Sequence, residues 1–378
     1  MQKTRKKIAI VTGTRAEYSL LFGCIQKIHV DPTFELQLIV TGSHLSKKFG
    51  TTVNEIEHDG FPIAARIPIL TSSDSSVSAA RSLARCVEGC AKAFEKLKPD
   101  ILLVLGDRYE ILGAVSAAAL MHIPTAHIHG GETTLGSLDN MFRHAITHMS
   151  ALHFTATHHF AQKVISMGLP KDRVFVVGAP GLDNMRQLSL LSKKELITTL
   201  GIPKNISKLA LMTLHPVTTE KNTASKYIRE VLKAMHEFSH IHFVCTYPNA
   251  DPQHQPIVDA LKAYKKRYPK AVTLCQSVGQ QNYISLMKHA RIMLGNSSSG
   301  IIEAATLKLP VVNTTHRQDG RLKPRNIIDV PQCTSDHLQK AMRKALSVQF
   351  KKSLATLKNP YGNGRSSEKI VHYLKPKT

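Results

Sequence analysis

Asp107, Glu132 and Asp139 offer three carboxylates, and His129 and His215 two imidazoles, beside the forked cations Arg15, Arg108 and Arg317. Carboxylates and imidazoles move protons near neutral pH, and guanidinium groups grip diphosphates through two parallel N–H donors. Gly295-Asn296-Ser297-Ser298-Ser299-Gly300-Ile301-Ile302-Glu303 follows an apolar run at 292–294 and leads into a helical pattern ending near Leu307. Such a strand-to-helix junction presents backbone N–H groups and the positive end of a helix dipole, which makes Ser297 and Ser298 candidate phosphate ligands. Glu303, about one turn further on, can accept hydrogen bonds from a sugar diol. The same residues also read as a plain serine N-cap.

A second junction strengthens the first reading. Residues 7–12 form an apolar strand pattern, followed by Gly13-Thr14-Arg15-Ala16-Glu17-Tyr18-Ser19 and an apolar helical face of Leu20, Leu21, Cys24, Ile25 and Ile28. Small residues let a ligand approach the backbone, and Arg15 adds a cation for a diphosphate. The pattern is neither GxGxxG nor a Walker A loop. Two half-sites in two halves of the chain point to one ligand held between two domains.

The elements that carry these residues alternate between strand and helix along the whole chain, the pattern of parallel α/β sheets. Strands are expected at 34–41, 101–105, 124–128, 152–156 and 174–177, then at 209–213, 241–246, 271–275, 292–294 and 310–313. Helices are expected at 76–97, 109–121, 139–149 and 335–347. Gly178-Ala179-Pro180-Gly181 is the best candidate boundary, so the expected division is 1–180, 181–358 and a terminal helical segment 359–378. Arg15, Asp107, Arg108, His129, Glu132, His215, Ser297 and Ser298 all lie just past the carboxyl ends of strands, where open α/β sheets bind ligands.

At 378 residues the chain is long enough for two full cores. No apolar run reaches the length of a membrane span, and the basic start is followed too soon by a strand to be a signal peptide. Six scattered cysteines without CxxC spacing favour a reducing cytoplasm and no structural metal. The formal charge of +23 admits nucleic acid, an anionic membrane surface or an anionic small substrate. Dispersed basic residues, few aromatics and no tryptophan argue against a nucleic-acid platform. The ordinary roles remain open residue by residue. Asp107 reads also as a turn residue paired with Arg108, Asp139 as a helix N-cap, and Arg317 as a surface arginine.

Six motifs in order resemble the UDP-N-acetylglucosamine 2-epimerases. They are Gly13-Thr14-Arg15-Ala16-Glu17-Tyr18, Gly106-Asp107-Arg108, His127-Ile128-His129-Gly130-Gly131-Glu132, Arg143-His144-Ala145-Ile146-Thr147, Leu214-His215-Pro216-Val217-Thr218 and Gly295-Asn296-Ser297-Ser298. The likeness runs from Lys7 to about Ser367 and is nearest to the hydrolysing branch, which serves sialic acid and related nonulosonate biosynthesis. It implies the GT-B architecture: two Rossmann-like domains with parallel sheets, a cleft between them, and a terminal helix packed on the first. It implies that Arg15, Ser297 and Ser298 hold the diphosphate, that Glu303 holds the ribose, and that His215 and Arg317 lie near the phosphates. Arg108 joins the substrate-binding candidates, and Asp107 and Asp139 match acidic catalytic positions. Relatives often carry Glu where this chain has His129, so either His129 or Glu132 fills the second acid–base role.

The implied reaction expels UDP from C1 while a base removes the C2 proton, and then adds water to the resulting glycal with protonation from the opposite face. No metal or nicotinamide is required. The expected substrate is UDP-N-acetylglucosamine, giving N-acetylmannosamine. The alternatives are a UDP-2,4-diacetamido-2,4,6-trideoxy sugar for legionaminic acid, a non-hydrolysing epimerase, or a GT-B glycosyltransferase. A cytoplasmic homo-oligomer, dimer or tetramer, with no nucleic-acid or membrane partner completes the expectation.

Overall fold

The computed structural model describes residues 5–47, 50–71, 75–135, 139–220, 222–248, 253–276 and 278–375. Its chain divides into two compact units. The first comprises Met1–Glu132, Asp139–Arg186 and Tyr361–Thr378, and the second Thr133–Leu138 and Gln187–Pro360. No described helix is long and apolar enough to cross a membrane.

The first unit is built on a seven-stranded sheet: β1 (Lys6–Thr12), β2 (Phe34–Thr41), β3 (Ile63–Ile67), β4 (Ile101–Leu105), β5 (Thr125–Ile128), β6 (Leu152–Thr155) and β7 (Val174–Val176). The order is β3-β2-β1-β4-β5-β6-β7, and every pair is parallel. β4 is buried at all five positions, because helices cover both faces and neither face can be polar. One apolar layer packs Leu21, Ile25 and Ile28 of the helix Arg15–Val30 on one face. The other packs Cys86, Cys90 and Phe94 of the helix Ser76–Leu97 on the opposite face, with Cys86 and Cys90 buried and unbridged.

The helix Ser366–Leu374 belongs to this first unit. Asp183 caps it from afar, accepting from Ser366 N at 2.9 Å and Ser367 N at 2.6 Å. Gly23 lets it lie against the helix Arg15–Val30, since a Cβ there would sit 2.6 Å from Ser367 Oγ.

The second unit repeats the plan with six parallel strands: β8 (Leu209–Thr213), β9 (His242–Thr246), β10 (Val272–Cys275), β11 (Ala290–Gly295), β12 (Val311–Thr314) and β13 (Ile327–Val330). Their order is β10-β9-β8-β11-β12-β13. In both sheets the order reverses between the first strand and the fourth. β1 lies beside β4, and β8 beside β11. The crevice at such a reversal is where open α/β sheets take their ligands.

The structure adds two strands to the expected elements and divides one expected helix. β3 was not anticipated: it is an edge strand whose short Ile-Ala-Ala-Arg-Ile pattern lacks a continuous apolar run. β13 was also missed, since its four residues include Asp329. Residues 295–307 do not form one regular helix. A 3-10 turn, Ser298–Gly300, is followed by a separate four-residue helix, Glu303–Thr306. The dipole available at Ser297 is therefore that of one turn, and local N–H groups matter more than a macrodipole.

Candidate active site

The first unit gathers its candidates around the ends of β1, β4 and β5. Gly106 leaves β4 at φ +87°, a left-handed turn that suits glycine. Asp107 follows and forms a short ion pair with Arg143 on the helix Asp139–Met149, whose side chain is only 5% exposed. Buried charges persist when paired, so this geometry fixes the Asp107 carboxylate in place. A hydrogen-bond chain braces the pair. His127 Nε2 donates to Gly106 O at 2.7 Å, and Thr147 Oγ1 lies 3.2 Å from His127 Nδ1 and donates to Arg143 O at 2.7 Å. Burial, opposed by the bond to Gly106, pushes the His127 pKa down to about 3, so this histidine is a neutral strut.

Arg108 opens the helix Tyr109–Leu120, and its Nε lies 3.2 Å from Glu110 Oε2. Burial works against the guanidinium charge, but Glu110, Glu17 and Asp139 outweigh it and hold Arg108 firmly protonated. Arg108 is therefore already engaged with carboxylates. Glu17 sits beneath the Gly13 loop, accepting from Gly13 N at 2.8 Å and Thr14 N at 3.1 Å in a capping box. Burial, with the neighbouring Glu110 charge adding to it, raises its pKa to about 8. Arg15 is engaged as well, in an open pair: its Nε lies 3.0 Å from Glu55, and both side chains are about half exposed.

His129 and Glu132 meet directly. Nδ1 of His129 lies 2.5 Å from Glu132 Oε1, with side-chain exposures of 11% and 2%. His129 adopts φ +67°, a left-handed conformation that costs a non-glycine residue on the order of 1 kcal/mol or more. Its backbone N–H donates to Phe154 O at 3.0 Å, which holds the turn against β6. Gly131 at φ +75° then brings Glu132 back, and a Cβ there would lie 2.8 Å from Phe160 O.

In the second unit, β8 ends next to His215 and β11 next to Asn296. Asn296 is 0% exposed and ties the mouth together. Its Oδ1 accepts from His215 N at 2.7 Å, and its Nδ2 donates to His215 O at 2.8 Å and Thr315 Oγ1 at 3.0 Å. Its carbonyl accepts from Arg317 Nη1 at 3.2 Å and Gln318 Nε2 at 2.9 Å. Burial, aided by the Arg317 charge, lowers the His215 pKa to about 3, so this imidazole is uncharged. Ser297 caps the 3-10 turn, its Oγ 2.9 Å from Ser299 Oγ, and Tyr283 OH lies 2.7 Å from that same Ser299 Oγ. The Glu303 charge is felt at Tyr283.

The structure thus brings Asp107, Arg108, His129, Glu132 and Asp139 to the mouth of the first sheet. It brings His215, Ser297, Ser298, Glu303 and Arg317 to the mouth of the second. Sequence reasoning passed over Asn296, whose only signal was an asparagine set between glycine and serine. It also left Arg143 without a role, although that residue lies one helical turn from Asp139. Among the described residues no cluster of three or more His, Cys, Asp or Glu side chains is arranged to hold a metal ion.

The model of the UDP-N-acetylglucosamine 2-epimerase family matches residues 26–375. The chain belongs to that family. It is 39% identical over 350 residues to the GDP/UDP-N,N'-diacetylbacillosamine 2-epimerase (hydrolyzing) of Campylobacter jejuni, covering 93% of this chain and 90% of the relative. It is 36% identical over 370 residues to the UDP-N,N'-diacetylbacillosamine 2-epimerase (hydrolyzing) of Legionella pneumophila, covering 98% and 96%. The polysialic acid biosynthesis protein P7 of Escherichia coli is 35% identical, covering 86% and 83%. These relatives put the chain in the hydrolysing branch and make it an enzyme. The crystal structure of UDP-GlcNAc 2-epimerase from Neisseria meningitidis bound to UDP-GlcNAc shares the fold. Its TM-score is 0.84 at 21% identity, with 97% of this chain and 99% of that one covered. The two parallel sheets are therefore those of the GT-B architecture.

Proposed function

We propose that this hydrolysing 2-epimerase acts on UDP-N,N'-diacetylbacillosamine, a 2,4-diacetamido-2,4,6-trideoxy sugar, releasing UDP and the free 2-epimer. The observation that carries the choice of sugar is the 39% and 36% identity, over nearly the full length, to two relatives named for that substrate. It displaces UDP-N-acetylglucosamine as the first expectation. That sugar remains the second reading, favoured by a 30% identical UDP-N-acetylglucosamine 2-epimerase of Neisseria meningitidis.

The C2–H bond of the sugar is not acidified by a carbonyl, so departure of UDP must do that work by building positive charge on the ring. In this reading Ser297, Ser298, Arg317 and Arg15 stabilise the departing diphosphate, with His215 beside it, and Glu303 holds the ribose. Arg108 shapes the sugar end of the site. The elimination leaves a C1=C2 double bond, water adds at C1, and a proton returns to C2 from the other face. Two proton-transfer groups are needed, and Asp107, Asp139 and the His129–Glu132 pair supply them. The terms of the reading include a cytoplasmic homo-oligomer, which light scattering tests.

Both nucleotide sugars, incubated separately with the enzyme in heavy water, decide the matter. Faster release of UDP from the diacetamido sugar, with deuterium at C2 of the freed product, is expected. A UDP-sugar that stays intact without exchange, or one consumed only when a sugar acceptor is added, would refute the hydrolysing reaction. A preference for UDP-N-acetylglucosamine would move the substrate to the second reading.

A further inference from the structure

We infer that Nε2 of His129 is the atom that takes the C2 proton, and that Glu132 is a positioning residue acting through the imidazole. The inference rests on the proposed reaction and assigns one group within it. A carboxylate only accepts, so the 2.5 Å contact between Glu132 Oε1 and His129 Nδ1 places the ring proton on Nδ1. Nε2 is then the ring atom with a free lone pair, and among the described residues it makes no hydrogen bond. Glu132 is the more deeply buried of the two, 2% exposed at the side chain against 11% for His129. Of the pair, His129 is the more accessible.

The backbone supports the same assignment. A histidine held at φ +67° between a strand end and two glycines is a costly arrangement, and such strain is kept where a side chain must be aimed. The bond from His129 N to Phe154 O and the close approach of Gly131 to Phe160 O hold the turn in that state. Glu132 lies three residues on and returns to the ring edge at Nδ1. The arrangement follows the logic of a carboxylate that fixes the tautomer of a catalytic histidine and stabilises its protonated form.

The step balances. The C2–H bond breaks and its proton goes to Nε2. The electron pair becomes the C1=C2 bond, and the C1–O bond breaks with its pair leaving on UDP. The imidazolium so formed is held by the Glu132 carboxylate. Hydration of the glycal then uses a carboxyl group on the other face, and the attacking water loses its proton to solvent.

The test separates the two half-reactions. His129→Asn is the variant of choice, because asparagine tolerates a left-handed backbone. It should release UDP from the nucleotide sugar at least 100-fold more slowly than wild type, while binding UDP with unchanged Kd. It should still hydrate the synthetic 2,4-diacetamido glycal at close to the wild-type rate. Glu132→Gln should lower kcat for UDP release with little change in KM, and Glu132→Asp should recover part of the loss. Unimpaired UDP release by His129→Asn, or equal loss of both half-reactions, overturns the assignment. So does a Glu132→Gln enzyme that is inactive while His129→Asn turns over. Wild-type enzyme that releases no UDP from either sugar would instead overturn the underlying reading.

Discussion

Replacing Asn296 with alanine should damage the second unit more than its single short side chain suggests. The change deletes three hydrogen bonds of 2.7, 2.8 and 3.0 Å at a position where Asn296 itself is 0% exposed. A typical intramolecular hydrogen bond contributes about 0.5–1.5 kcal/mol net. Three such bonds give a loss of about 1.5–4.5 kcal/mol, with about 3 kcal/mol as the central figure. For a unit of this size each kcal/mol moves the midpoint by about 2–4 °C, so a fall of roughly 6–12 °C is expected. Differential scanning calorimetry of the purified variant reads it directly. The backbone carbonyl of residue 296, which accepts from Arg317 Nη1, is kept by alanine, so Arg317 is disturbed only through loosening of the loop around it. UDP affinity, measured by titration calorimetry below the unfolding range, should weaken by less than about tenfold, since no charge-assisted hydrogen bond is deleted. A midpoint within 2 °C of wild type would refute the view of Asn296 as the tie across this mouth.

Asp107→Asn should cut turnover by about 10²–10³-fold with KM within a few-fold, since it removes a charge from the Arg143 pair while leaving an isosteric acceptor; equal changes in both constants would contradict a proton-transfer role. Gly295→Ala should fail to fold or lose about 10 °C or more, because φ is +136° and the new Cβ would lie 1.9 Å from Thr213 O; a normal melting curve would count against that crowding. Glu17 has a folded pKa of about 8 against an ordinary 4.5, so its contribution to stability is fully present below about pH 4.5 and is lost as pH rises through 8. Glu17→Gln should accordingly flatten the decline in melting temperature between pH 5 and 8.5, and an unchanged pH profile would mean that this carboxyl does not titrate as described.

Much of this was visible in the residue order, for physical reasons. A strand buried on both faces must be apolar throughout, so 101–105 announced itself, and with it Asp107 just beyond. The helix Ser76–Leu97 was equally plain from its repeat. β3 and β13 escaped because an edge strand with one wet side has neither a continuous apolar run nor enough residues for a clear alternation. Partnerships escaped more completely than elements. Asp107 and Arg143 are 36 residues apart, and nothing in their local patterns joins them. The spacing of His129 and Glu132 left the role of each open, since only the left-handed turn between them brings the carboxylate to Nδ1 of the ring. Arg15 shows the opposite case: its position after β1 was legible, while its pairing with Glu55 was not.

The clasp of Asp183 on Ser366 and Ser367 has a consequence for biosynthesis. The first lobe to emerge from the ribosome lacks its last helix until the whole intervening lobe has been made. A nascent chain must carry the side of the Arg15–Val30 helix around Gly23 uncovered through that interval, and the earlier-made lobe is the later one to be finished.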